Sequence, residues 1–362
     1  GSDRTHTKIP QNQIDLLAKL STLNKPIVVV LSAGSAVEMG WAEQYNVNAV
    51  LHGYLSGQAG ARAIMRILSG AVNPSGKLSE SYPYSYEDNA SAKYFDIPGK
   101  VVEYREGIYV GYRYYRSASI KVQYPFGFGL SYTTFDYSDI SVDGDKVSFT
   151  LTNSGGVDGA EVSQLYVSKP DSMIFRAEEE LKGFAKTFLA AGESKRVTIT
   201  LDDKAFRYFN VATNKWEVEP GSYEIRIGAS SEDIRLTAIT KVEGTNAPNP
   251  YDKTEYAKYY AADVANLTNE EFEKLIGRKV EYPPVVRKRV LGYNDTIGEL
   301  KYCKGWFARF AYGLLRLFYN CCKLFGNINL AMTLNMGVFN QPFRGVYRMT
   351  GGAINKPMMD GI

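Results

Sequence analysis

A chain of 362 residues is longer than one typical domain and suits two or three. Its 44% hydrophobic and 22% charged content is that of soluble globular protein. A formal net charge of +3 gives no general pull toward nucleic acid, so no nucleic-acid partner is expected.

The 27 Tyr and 17 Phe suit a sugar-facing surface or a β-sandwich core, and composition does not separate the two. Cys303, Cys321 and Cys322 are odd in number and include an adjacent pair. That argues against a disulfide framework and leans toward the cytoplasm. His6 and His52 stand apart and no Cys-x-x-Cys occurs, so no metal site is expected and no cofactor is implied. The chain opens GSDRTHTKIP, with no methionine and no secretory apolar stretch in view.

In chain order, IDLLAKLSTL (14–23) carries apolar residues at helical spacing. KPIVVVLS (25–32) is a β-branched run that predicts a strand buried on both faces, and NAVLHGY (48–54) a second strand. GQAGARAIMRILSG (57–70) predicts a helix closed by Gly70, and NPSGKLSESYP (73–83) a turn followed by a short extended segment. This alternation predicts an α/β layer with a largely parallel sheet. From about Phe135 the texture changes to alternating apolar and polar residues broken by Asp-Gly and Gly-Gly. About seven short strands over roughly a hundred residues predict an antiparallel sandwich, immunoglobulin-like in shape only. GTNAPNPYD (244–252) reads as a linker, and LTNEEFEKLIG (267–277) opens with a capping box, Thr268 to Glu271.

KGWFARFAYGLLRLFYNCCKLFG (304–326) places Phe307, Phe310, Leu314, Leu317, Cys321 and Leu324 at steps of three and four. Arg309, Arg316 and Lys323 recur every seven residues on another face. These charges break any run long enough to span a bilayer, so no membrane partner is expected. A membrane-surface helix fits the pattern. The favoured reading is a helix whose apolar face packs on the rest of the protein.

Nucleotide chemistry finds no support. VVVLSAGSA and GYLSGQAG match neither G-x-G-x-x-G nor a P-loop, and there is no G-x-S-x-G elbow. Gly53, Gly57 and Gly60 suit a tight turn and close helix packing. Among the acids, Glu103 and Glu106 lie in VVEYREGIYVGYRYYR (101–116), crowded with Tyr and Arg. A buried Glu there could be a catalytic acid of raised pKa. The plainer reading pairs it with Arg105 or Arg113 at a domain seam.

Several stretches in order are more specific than their parts. GSDRTHTKIPQNQ, NKPIVVVLSAGSAVEM, GYLSGQAGARAIMRILSGAVNPSGKLSESYP, YREGIYVGYRYY and YPFGFGLSYTTF resemble the C-terminal half of family 3 glycoside hydrolases, the β-glucosidase and β-xylosidase group. GGVDGAEVSQLYVSKP, ELKGFAKTFLAAGESKRVTITL and PGSYEIRIGAS resemble the fibronectin type III-like domain that follows in many of them. FRGVYRMTGGAINKPMMDGI resembles a helical tail of a bacterial subgroup. The resemblance implies an α/β domain at 1–133, incomplete at its start, a sandwich at 134–243, and a linker with helical tail at 244–362.

The resemblance also implies a retaining mechanism acting on a β-glucoside or β-xyloside. The nucleophilic Asp would sit in an N-terminal (β/α)8-type barrel of about 250 residues, which is expected as the missing partner. The acid/base would be the Glu of an E-G-x-D-R motif. Here G-S-D-R begins at Gly1, so that Glu would immediately precede it, and no catalytic carboxylate is expected within the chain. Gly1 and Ser2 then read as native sequence and both ends as cut. Asp3 and Arg4 would brace the acid-bearing loop. Tyr104, Glu106 and Arg113 would stand behind the site or between domains, Glu106 matching the Glu of an E-G-I-x-V-G-Y-R motif. The isolated chain is expected to be inactive and to expose an apolar, Tyr-rich face where the barrel would sit, with a homo-oligomer as one outcome. Two other functions compete: a non-catalytic carbohydrate-binding or assembly module, and an unrelated α/β protein with a membrane-associated tail.

Overall fold

The structure is a computed structural model that describes residues 6–95, 101–281, 287, 289–353 and 357. Its residues divide into two compact units, one holding 6–95 and 102–280, the other residue 101 and the described residues from 281 onward. The expected boundary at 244 does not coincide with this division.

The first unit begins with α1 (Gln11–Ser21), β1 (Val28–Leu31), α2 (Gly40–Gln44), β2 (Ala49–His52) and α3 (Gly60–Leu68). β3 (Tyr82–Pro83), α4 (Tyr112–Ser117) and β4 (Val122–Tyr124) follow. β1 and β2 pair in parallel, Val28 with Ala49 through Leu31 with His52. β3 and β4 pair antiparallel. Among the described residues the parallel sheet is therefore this one pair. Leu17, Val37, Met39, Trp41, Ala42 and Tyr82 form the local core. Contrary to the sequence reading, β1 is not buried on both faces: Val28 is 51% and Val30 38% exposed, while Val29 and Leu31 pack on that core. A β-branched run dictates extended backbone but does not supply a second covering layer.

The next strands are β5 (Phe135–Asp143), β6 (Lys146–Asn153), β7 (Gly159–Ser168), β8 (Glu180–Leu189), β9 (Ser194–Thr200), β10 (Arg207–Asn210), β11 (Lys215–Val218), β12 (Gly221–Gly228) and β13 (Ile234–Val242). A four-stranded sheet, β13-β12-β7-β8, faces a three-stranded one, β5-β6-β9, and β10-β11 form a separate hairpin. All pairings in the two sheets are antiparallel. In β6 the alternation sends Val147, Phe149 and Leu151 inward against Leu165, Ile225 and Ile227.

A polar seam fixes the sandwich to the α/β layer. Lys77 Nζ lies 3.1 Å from the buried Glu161 of β7. Arg113 and Arg116 of α4 reach Glu180 and Glu178, and the amide of Leu181 donates to Tyr112 Oη at 2.7 Å. Gln164 of β7 donates its side-chain amide to Gly127 O and Ala229 O. Gly127 has φ +81°, and a β-carbon there would stand 1.9 Å from Gln164 Oε1.

Residues 245–280 remain with the first unit. Asn210 Nδ2 donates to Pro248 O, and Tyr251 packs on Phe175. α5 (Ala257–Tyr260) and α6 (Asn269–Ile276) follow, α6 carrying the Thr268–Glu271 capping box that the sequence predicts. Tyr259, Ala262, Val264 and Leu267 share a core with Tyr109, Tyr114 and Tyr115. The segment read as a linker is thus held by burial and by hydrogen bonds, neither of which Pro/Asn composition reveals.

The second unit contains a 3-10 turn (Ile297–Tyr302), α7 (Trp306–Leu324), α8 (Ile328–Leu334), a π-helical turn (Asn335–Phe339) and α9 (Phe343–Met349). Leu300, Cys303, Ala308 and Phe343 form its core, and Arg289 donates to both Asp295 and Glu299. α7 does pack, but through Ala308, Tyr312, Tyr319 and Cys322. The stripe singled out in the sequence is the outer one: Phe307, Phe310, Leu314, Leu317 and Leu324 are all more than half exposed. No helix among the described residues is long and apolar enough to cross a membrane.

Gly127→Ala should lower stability by at least about 1–2 kcal/mol, because a left-handed residue gains a β-carbon at a site with no room for it. Urea unfolding checks this; an unchanged midpoint would show that the seam relaxes freely.

Candidate functional site

A groove of about 230 Å³ opens beside Thr7 in the first unit. The loop after the carboxyl end of β1 supplies Ser35, Ala36 and Val37; the strand segment at β3 supplies Glu80, Ser81 and Pro83. Tyr86, Asn89, Ser91 and Phe95 close the remaining side. The carboxyl end of a parallel strand is where α/β layers place ligands, because the connecting loops part there.

Each wall is held in place. The Glu38 amide donates to Thr7 O at 3.0 Å. The Glu38 carboxylate accepts from Thr7 Oγ1 at 3.0 Å and from the Tyr86 amide at 3.2 Å, tying three segments together. Behind it, the buried Trp41 donates its indole N–H to Glu38 O. Ser85 and Asp88 form a capping box around the short 3-10 turn Tyr86–Asp88. Asn89 Oδ1 accepts from Tyr115 Oη at 2.7 Å.

Next to this groove β2 ends in a ring cluster. His52 lies 3.7 Å from Tyr54 and 5.9 Å from Tyr82, both edge-on. Burial lowers the His52 pKa. Burial, and then the proximity of Tyr54 and Glu80, raises the Tyr82 pKa far above the usual tyrosine value, so its hydroxyl stays protonated. The groove therefore offers hydroxyls, one amide, the Glu80 carboxylate and two aromatic rings. Such a lining can hydrogen-bond a polyol and cover one face of it.

The sequence-predicted residues stand elsewhere. Asp3 and Arg4 lie outside the described residues. Tyr104 is 73% exposed. Glu106 is half-buried, and its Oε2 is enclosed with no hydrogen-bond partner among the described residues. Arg113 faces Glu180 across the seam, Nη2 to Oε1 3.2 Å. None of these three lines the groove. Glu103 is the buried acid of the segment, and it pairs with Arg105. Arg105 also lies over the Tyr94 ring and beside the Phe272 ring, and donates to Leu267 O and Asn269 Oδ1. Sequence reasoning missed Thr7, Glu38, Glu80, Tyr86 and Asn89. For all but Thr7 the available signal was the clustering of polar residues in SAVEM (35–39), a few residues after β1, and in SESYPYSYEDN (79–89), which spans β3.

Arg105→Ala should destabilise the chain by about 3–5 kcal/mol, because the buried Glu103 carboxylate loses its counter-charge. Adding Glu103→Gln should recover part of the loss; a single-variant loss below about 1 kcal/mol in urea would contradict a tightly buried pair. For Glu180, burial acts to raise the pKa, but Lys182 and Arg113 outweigh it and hold the carboxyl below the ordinary 4.5. A folded-state pKa below the unfolded one stabilises above pH 4.5. That stability is lost as pH falls through the folded value. Glu180→Gln should flatten this acid limb in pH-dependent unfolding, and an unchanged limb would refute the assignment.

Comparison with known proteins gives a consistent result. Residues 1–132 match the glycosyl hydrolase family 3 C-terminal domain, and residues 161–231 the fibronectin type III-like domain. The chain is 48% identical over 255 residues to thermostable β-glucosidase B of Acetivibrio thermocellus, covering 68% of this chain and 33% of that protein. It is 41% identical over 267 residues to an exo-α-(1→6)-L-arabinopyranosidase of Bifidobacterium longum, covering 72% and 34%. Its structure resembles the crystal structure of a β-glucosidase from Kluyveromyces marxianus in complex with glucose, with TM-score 0.63, 41% identity, and coverage of 67% of this chain and 30% of that one. The chain spans about a third of the length of the curated relatives it matches.

Proposed function

Residues 1–132 are a family 3 glycosyl hydrolase C-terminal domain and residues 161–231 a fibronectin type III-like domain, and from that premise we propose that the chain is the acid-side half of a retaining exo-β-glycosidase of the β-glucosidase type. The other half is a barrel that carries the nucleophilic Asp. In the first step that Asp attacks the anomeric carbon while a Glu protonates the glycosidic oxygen, and the alcohol leaves. In the second, the same Glu takes a proton from water, whose oxygen displaces the Asp carboxylate from the sugar.

The observation that carries this reading is the ordered match of both domains together with the groove beside Thr7. Gly1, Asp3 and Arg4 match the G-x-D-R of the E-G-x-D-R motif whose Glu is the acid, and Thr7 lies three residues after Arg4. Motif position gives Asp3 and Arg4 the role of supporting the acid-bearing loop. Glu38 holds Thr7 and Tyr86 together at the groove. Glu106 and Arg113 support the domain arrangement, and Tyr104 offers an exposed ring toward a further domain. The sugar is a β-glucoside or β-xyloside. The arabinopyranosidase relative supports leaving its identity to residues of the barrel.

The test joins the chain, in frame, behind the N-terminal part of the Acetivibrio thermocellus relative and follows p-nitrophenyl β-glucoside hydrolysis. The joined protein should turn over and the chain alone should not. In the joined protein, Asp3→Ala should lower kcat by at least tenfold, while Glu106→Gln should retain most activity. Turnover by the chain alone would overturn the half-site reading. Loss of activity in Glu106→Gln with rescue by azide would make Glu106 the acid/base.

A further inference from the structure

The outer face of α7 is not a surface that water favours. Trp306, Phe307, Phe310, Leu314, Leu317 and Leu324 are between 53% and 81% exposed on one side of the helix. The opposite side already packs within its own unit through Ala308, Tyr312 and Cys322. The helix is thus apolar on two faces, and only one of them is used.

The charge on α7 and on the segments that follow it to residue 353 is of one sign. Residues 301–353 contain seven Lys and Arg and no Asp or Glu. Arg309, Arg316 and Lys323 form a stripe along α7 between the buried and the exposed apolar faces. Arg316 and Lys323 are both exposed and lie over the Tyr319 ring, which orients them along the helix. Lys301, Lys304, Arg344 and Arg348 are exposed on neighbouring segments. A second copy of the chain would bring the same positive charge against this face, and its repulsion opposes pairing. A nucleic acid would engage the cations but leave the Phe- and Leu-rich stripe in water. An anionic bilayer answers both features: acyl chains for the apolar stripe, and headgroup phosphates for the cations.

From this juxtaposition we infer that α7 is an interfacial helix that docks the chain on the surface of an anionic membrane. It lies in the plane of the headgroups with Phe307, Leu314 and Leu317 inserted. Its 19 residues carry three cations, so it rests on the bilayer and does not cross it. The ring of Trp306 at its start suits the polar–apolar boundary.

The test is co-sedimentation of the full chain with extruded vesicles, either pure phosphatidylcholine or an equal mixture with phosphatidylglycerol. The chain should pellet with the mixed vesicles and stay in solution with the neutral ones. Half-molar salt should weaken binding at least tenfold. Arg309→Gln, Arg316→Gln and Lys323→Gln together leave the apolar stripe intact and should weaken it between tenfold and about a hundredfold. Leu314→Ser with Leu317→Ser should abolish binding while circular dichroism retains the helix signal, since both side chains point away from the packed face. Equal binding to neutral and anionic vesicles would overturn the inference. So would absence of vesicle binding, or a concentration-dependent dimer removed by the same leucine replacements, which would assign the face to a second copy. None of these readouts depends on glycoside hydrolysis.

Discussion

Arg105 is the side chain on which the first unit turns. Its guanidinium is buried with Glu103, lies over the ring of Tyr94, and donates to the backbone and side chain at Leu267 and Asn269. A buried cation persists only where each donor is satisfied, so the three segments that satisfy it must meet there. One is the Tyr-rich stretch before α4. Another is the wall of the groove, whose Phe95 follows Tyr94. The third is the start of α6, which returns from beyond the sandwich to close this corner. Tyr94 Oη and Tyr109 Oη reinforce it by donating to Leu267 O and Tyr259 O. Groove, α/β layer and the 257–276 helices are thereby parts of one packed body.

That body explains how a groove built from loops can hold its shape. Glu38 joins the residues at Thr7 to the turn at Tyr86, and Tyr115 fixes Asn89. On the sandwich side, Lys77–Glu161, Arg113–Glu180 and the Gln164–Gly127 contact set the position of β7 and β8 against the layer. The proposed chemistry asks for this rigidity, because an acid must stand within hydrogen-bond reach of a leaving oxygen in both of its protonation states. The sandwich then acts as a strut for the α/β layer.

What the sequence disclosed follows from periodicity. KVSFTLTN alternates with period two, and its apolar members are the buried ones. The Thr268–Glu271 box forms as written, since its two hydrogen bonds depend only on residues three apart. Periodicity fails where a segment has two apolar faces. In α7 the heptad-like stripe was the conspicuous one, yet Ala308, Tyr312 and Tyr319 are the residues that pack. It fails again at β1, where Val28 and Val30 are apolar and exposed. The groove residues were hidden for another reason. Thr7, Glu38 and Tyr86 come together through long-range hydrogen bonds between loops, and loops carry no period. The ordered motifs disclosed the family, but motif order says nothing of which carboxylates face one another.

The claim at the centre is that this chain contributes to glycoside cleavage without holding the nucleophile. The most direct measurement incubates the joined protein with a 2-deoxy-2-fluoro-β-glucoside bearing a good leaving group, which slows hydrolysis of the glycosyl-enzyme, and maps the adduct by peptide mass spectrometry. The account predicts the added sugar on an Asp of the barrel and none on any peptide of residues 1–362. An adduct on a carboxylate of this chain, Glu80 in the groove above all, would contradict it.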